Sequence, residues 1–149
     1  RSAAFRAAQE IGLVAMLRSG SYRAFAAALA GRPLKKKYGL QAIAYGAGDY
    51  AGPHTDHHPE EPEAVRGYLD MHLSFSTAAV RDQYLVYART GHFTEMTEVT
   101  KSGLVTAYRL PFWHYTTPLR AKPKQDAKAR RWVLLGTFLF DGTKDQGAR

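Results

Sequence analysis

Cysteine is absent from the chain. That excludes disulfides and thiolate metal sites, and it leaves the redox compartment open. Long hydrophobic runs are absent as well. Nothing approaches the roughly 20 apolar residues of a membrane-spanning helix, so no membrane association is expected. No signal peptide is visible, and the expected location is cytoplasmic. The chain opens at Arg1 rather than Met, as a trimmed chain or a fragment would. Acidic residues are few, with 13 Asp and Glu against 21 Lys and Arg, a formal net charge of +8 and a pI near 9.8. Such a balance permits an anionic partner or substrate. No Lys/Arg stripe alternates with aromatics as in nucleic-acid readers, so the charge reads as a solubilising surface and nucleic acid is not favoured.

What remains is ample for one core. With 45% hydrophobic residues over 149 positions, the chain is expected to form a single domain. Its seven Pro and thirteen Gly suit a turn-rich β architecture. Residues 2–19 carry a helical period in Phe5, Ala8, Ile11, Val14 and Leu17, with Ser2 as cap and Gly20 as stop. A shorter helix is expected over 21–29, with Tyr22, Phe25, Ala26 and Leu29 on one side. Arg32 and Lys35–Lys37 read as a solvated basic connector. The expected divisions are packing helices and connector over 1–37, a core over 38–141, and a tail over 142–149.

From Tyr38 the period changes to two. Strands are expected at 38–45, 66–75, 83–89, 93–99, 103–110, 114–119 and 131–140, and the breaks between them carry mostly Gly, Pro, Ser or Asp. Helices followed by seven or eight short strands point to a mainly β fold, a double-sheet jelly roll rather than a parallel α/β sheet.

The chemistry gathers at Tyr45-Gly-Ala-Gly-Asp-Tyr-Ala-Gly-Pro-His54-Thr-Asp56. In extended chain, residues i and i+2 point the same way, so His54 and Asp56 can aim at one point. A neutral imidazole and a carboxylate are two of the three ligands of the open facial site that holds non-haem Fe(II). His114, in Pro-Phe-Trp-His-Tyr-Thr-Thr-Pro, fits as a distant third ligand opening another strand.

These parts come in an order that resembles the Fe(II)- and 2-oxoglutarate-dependent dioxygenases, the prolyl-hydroxylase-like group above all. The residues are Tyr45, Gly48, Gly52, His54 and Asp56, then Gly103-Leu-Val105 running to His114, then Arg131-Trp-Val-Leu-Leu-Gly-Thr137. The likeness spans Gln41 to Leu139. It implies a double-stranded β-helix of the jelly-roll, cupin-like kind. It also implies a hydroxylase that uses Fe(II), 2-oxoglutarate as cosubstrate and O₂, releasing succinate and CO₂.

The resemblance gives roles to further residues. The remote carboxylate of 2-oxoglutarate needs a paired cation if buried, and Arg offers a bidentate fork. Arg120, Arg130 and Arg131 compete for that role; Arg131 is preferred because it adjoins the apolar run. Tyr45 can donate a hydrogen bond, and Thr137, on the face of Arg131, Val133 and Leu135, can add a hydroxyl. If the polar face of the 66–75 strand lines the barrel, Asp70 and His72 touch substrate. Phe112 and Trp113 are placed to shield the iron. His57 and His58 read as solvated. The segments 57–63 and 120–130, one acidic and one basic, are expected to border the mouth as loops that do not readily bury themselves.

Two other readings are open: a cupin-like metal enzyme without the keto acid, using His54 with His58 or His72, and a non-catalytic jelly-roll binding module. The expected partner is a small-molecule or peptide substrate. Its identity and the oligomeric state are left open by the residues.

Overall fold

A glycine breaks the first helical stripe. The computed structural model describes residues 3–55, 67–110 and 112–141, and in it the single helix expected over 2–19 is two: α1 (Ala3–Glu10) and α2 (Leu13–Leu17). Gly12 turns between them at φ 77°, a left-handed conformation that glycine adopts without steric cost. Ala8, Val14 and Leu17 bury as the period requires, but Ile11, next to the break, is 76% exposed. Helix α3 (Gly20–Ala30) follows closely. The Ser19 side chain accepts from the Tyr22 N–H at 3.1 Å, and Gly31 closes the helix in the left-handed region.

Ten strands follow among the described residues: β1 (Leu34–Gly46), β2 (Ala51–His54), β3 (Tyr68–Ser76), β4 (Val80–Asp82), β5 (Tyr84–Arg89), β6 (His92–Glu98), β7 (Leu104–Leu110), β8 (His114–Thr116), β9 (Arg120–Ala121) and β10 (Arg130–Phe140). The fold is mainly β, with antiparallel sheets. One four-stranded sheet runs β1-β10-β3-β7, a second runs β2-β8-β5-β6, and β4 pairs with β9. The strands expected from the period of two are all present, with shifted ends. Three short ones, β2, β4 and β9, are additions. Each has too few residues for alternation to register, and pairing to a distant partner is what holds it extended.

One expectation about connectors is corrected, and a second holds for exposure alone: residues 122–128 are exposed, but their segment is tied into the fold. The basic run Lys35–Lys37 belongs to β1, where the register slips between Leu34 and Tyr38. The segment 120–130 is built into the fold. It holds β9 and a 3₁₀ turn at Asp126–Lys128. The Lys122 N–H donates to the Ala79 carbonyl at 2.9 Å. The Thr77 hydroxyl donates to the Lys128 carbonyl at 2.9 Å. Apolar contact explains the difference: Leu119 and Ala129 bury with Ala79 and Val80, so the charged stretch is tethered at both ends. Segment 57–63 and tail 142–149 lie outside the described residues.

Strand β10 lies between β1 and β3 and has two distinct faces. Phe138 and Phe140 join Leu69, Met71, Ala26 and Ala30 in a cluster that seats α3 on the first sheet. Tyr38 stacks on Phe138 at 4.5 Å and Tyr22 tilts against it at 5.7 Å. Gly136 permits this approach, since a Cβ there would come within 3.1 Å of the Phe138 ring and 3.3 Å of the Tyr22 hydroxyl. The Arg109 guanidinium donates to the Ala30 carbonyl, tying the end of α3 to β7. The alternate residues Arg131, Val133 and Leu135 face a cavity between the two large sheets.

Phe138 is fully buried, so Phe138→Ala is expected to cost about 3–5 kcal/mol of folding stability. Trp132, 39% exposed on the same strand, should cost less than about 1.5 kcal/mol when changed to Ala. Urea denaturation midpoints of the two variants check the order.

Candidate active site

Strand β1 ends at Tyr45-Gly46, and a tight turn sends the chain into β2. The Gly46 N–H donates to the Asp49 carboxylate at 2.7 Å. Gly48 stands at φ 87°, and its N–H reaches the Leu119 carbonyl at 2.9 Å. Strand β2 then pairs antiparallel with β8, and His54 lies directly opposite His114. The two imidazoles approach to 4.3 Å between ring centroids, and His114 is only 3% exposed.

The rings are oriented alike. Nδ1 of His54 is 2.6 Å from the Gly52 carbonyl, and Nδ1 of His114 is 3.0 Å from the Phe112 carbonyl. A carbonyl accepts only, so each Nδ1 carries the proton and donates. The lone pair is then on Nε2, the tautomer that ligates a metal, with a second contact fixing the ring. Phe112 also packs on the His114 ring at 5.1 Å. Among the described residues no three His, Asp or Glu side chains gather as a metal-binding group. Asp56, the expected carboxylate ligand, lies outside those residues together with His57 and His58.

His54 and His114 open onto a cavity of about 80 Å³ shared with Tyr45, His72, Tyr108 and Arg131. Arg131 is 2% exposed. Its Nη1 donates to Gln83 Oε1 at 2.9 Å and its Nη2 to Ser74 Oγ at 3.0 Å. Its Nε has no acceptor. The guanidinium carbon lies 5.4 Å from the centroid of the Tyr45 ring, its cross-strand neighbour. Among the described residues no carboxylate pairs with it. Burial pushes its pKa down, opposed by Tyr45 and Tyr108. A desolvated cation held only by neutral groups and a ring face favours an anionic ligand.

The competing arginines are elsewhere. Arg120 Nε pairs with Asp82 at 2.5 Å on a side chain that is 53% exposed. Arg130 is exposed and donates to the Ala129 carbonyl at 2.7 Å. Consecutive strand residues point to opposite faces, so Arg130 and Arg131 cannot share the cavity.

Three expected site residues do not line the cavity. Thr137 has the same facing as Arg131 but lies six residues further on, roughly 20 Å along an extended strand. Its register partners are Gly39 and Asp70. Asp70 is buried beside it, at 2% exposure. Trp113 is 54% exposed, and the neighbouring Phe112 is the aromatic that covers His114. His72 does line the cavity, with the Tyr108 hydroxyl 2.8 Å from its Nε2. Sequence reasoning missed Gln83 and Ser74. Both are buried polar residues in or beside strands, and only their contact with Arg131 distinguishes them.

A larger cavity, about 510 Å³, adjoins the first and shares Leu85, Thr106 and Tyr108 with it. Its other walls include Tyr87, Phe112 and Arg89. Comparisons with protein-family models, with curated proteins and with solved structures give no match to this chain.

Replacing His54 or His114 by Ala is expected to weaken divalent transition-metal binding by more than about a hundredfold, the upper range for losing a mere supporting contact to a ligand. His92→Ala, on an exposed position of β6, should leave it unchanged. Mn(II) titration followed by electron paramagnetic resonance measures both. Equal affinity in all three variants would remove the histidine pair from metal binding.

Proposed function

We propose that the chain is an Fe(II)- and 2-oxoglutarate-dependent oxygenase, a hydroxylase on a double-stranded β-helix. The observation that carries this reading is one cavity holding both a tautomer-oriented histidine pair and a buried arginine that, among the described residues, no carboxylate pairs. The strand order supports the jelly-roll winding. Strands β1, β3, β7 and β10 make one sheet and β2, β5, β6 and β8 the other. The chain therefore crosses between them at β1–β2, β2–β3, β6–β7 and β7–β8 while β5 and β6 stay paired in one sheet, and the histidines and the arginine come from facing sheets.

In this reading His54, His114 and Asp56 hold the iron. Arg131 binds the remote carboxylate of 2-oxoglutarate, and the Tyr45 hydroxyl supports it. When bound, iron and 2-oxoglutarate supply the oxidant from O₂ that hydroxylates a C–H bond, with succinate and CO₂ formed. Ile43, Leu85, Val133 and Leu135 line the cavity with apolar surface, which keeps water from the charged groups and strengthens their interactions. The adjoining larger cavity offers room for the substrate beside Tyr108. A metal enzyme without the keto acid would leave Arg131 uncompensated.

Succinate release from 2-oxoglutarate, measured under air with Fe(II) and ascorbate, tests the function. Arg131→Ala is expected to raise the 2-oxoglutarate KM about a hundredfold or more, as for a buried charge pair losing one member. Tyr45→Phe should raise it by about three- to tenfold, the loss of one hydrogen bond. Mn(II) affinity should hold in both. A protein that retains metal but neither binds 2-oxoglutarate nor makes succinate would refute the assignment.

A further inference from the structure

The side chain of Gln83, between β4 and β5, is completely buried, and its hydrogen-bonding groups are all engaged. Nε2 donates to the Asp49 carbonyl at 3.2 Å and to the Thr117 carbonyl at 3.0 Å, while Oε1 accepts from Arg131 at 2.9 Å. The amide can sit only this way round. Flipped, it would set NH₂ against a guanidinium and its oxygen against two carbonyls. Asp49 stands in the turn that leads to His54, and Thr117 directly follows the strand that begins with His114. One amide therefore joins the approach to one histidine, the exit from the other, and the arginine. Backbone contacts hold the junction in place: the Thr117 N–H donates to the Tyr84 carbonyl and the Val99 N–H to the Gln83 carbonyl.

We propose that Gln83 is the positioning residue of the anion anchor: it aims Arg131 at the remote carboxylate of the keto acid and registers that cation against the His54–His114 strand pair. The inference rests on the function proposed above. A neutral amide suits the task. It orients the guanidinium without cancelling the charge, whereas a Glu in its place would form an internal ion pair and occupy the ligand's role. Ser74, also neutral, holds the other Nη in the same manner.

The test is calorimetric binding of two anions to the Mn(II)-loaded protein. 2-Oxoglutarate reaches from the metal to a remote cation. Oxalate chelates a metal through both its carboxylates and has no remote one. Gln83→Met is expected to weaken 2-oxoglutarate binding about tenfold, as for a lost hydrogen bond to a charged group, and to leave oxalate binding unchanged. Gln83→Glu should weaken 2-oxoglutarate further, again sparing oxalate. Gln83→Leu, of similar size and with no oxygen to set against the Asp49 and Thr117 carbonyls, should match Gln83→Met and carries the test if Gln83→Met does not fold. The double variant Gln83→Met/Arg131→Met should bind 2-oxoglutarate no worse than Arg131→Met, because the glutamine acts through the arginine. Equal losses for both anions, or additive losses in the double variant, would overturn the positioning role and leave the proposed function standing. An unmodified protein that binds oxalate but not 2-oxoglutarate would overturn both.

Discussion

Burying the Arg131 guanidinium is the constraint around which the inner half of the molecule is arranged. A cation taken out of water loses hydration that no single neutral hydrogen bond restores. At 2% exposure, with Nε lacking an acceptor, it depends on every nearby dipole. Those dipoles come from separate parts of the chain: Ser74 from β3, Tyr45 from β1 and Gln83 from the entry to β5. The central place of β10 in its sheet makes this convergence possible, since an edge strand would have a neighbour on one side only. The groups in contact with it, Gln83, Ser74 and the Tyr45 ring, are neutral and leave its charge uncancelled.

The same strand separates stability from chemistry. Alternation sends Phe138 and Phe140 to the helix-covered face and Arg131, Val133 and Leu135 to the cavity. The apolar face can be packed tightly, with Gly136 admitting Tyr22 and Phe138 together. The other face carries polar groups that would destabilise an ordinary core. The cost of the site is offset on the opposite side of one sheet.

The histidine pair has an economical construction. Each ring donates from Nδ1 to the carbonyl two residues earlier in its own chain, Gly52 for His54 and Phe112 for His114. Ring orientation is thus a local property of each strand entry. Bringing the rings together is not local, and rests on the antiparallel pairing of β2 with β8.

Periodicity and turn residues determined which stretches would be strands, because alternation reports a half-buried pleated surface directly. They also placed His114 at the start of a strand, whereas His54 was expected in the Gly-rich loop and instead ends β2. The arginine beside the last apolar run, chosen through the family resemblance, is the buried one. Short elements escaped: β2, β4 and β9 have too few residues to show a period, and they exist because distant partners hold them. The tethering of 120–130 escaped too, since its charged composition hides the burial of Leu119 and Ala129 against Ala79 and Val80. Thr137 shared the facing of Arg131 on sequence grounds, but facing says nothing about distance along a strand. Phe112 rather than Trp113 covers His114 for the complementary reason, that neighbours in extended chain point apart. Gln83 carries no sequence signal at all. A glutamine is polar anywhere, and only the tertiary structure, by closing two carbonyls and a guanidinium around its amide, decided what it binds.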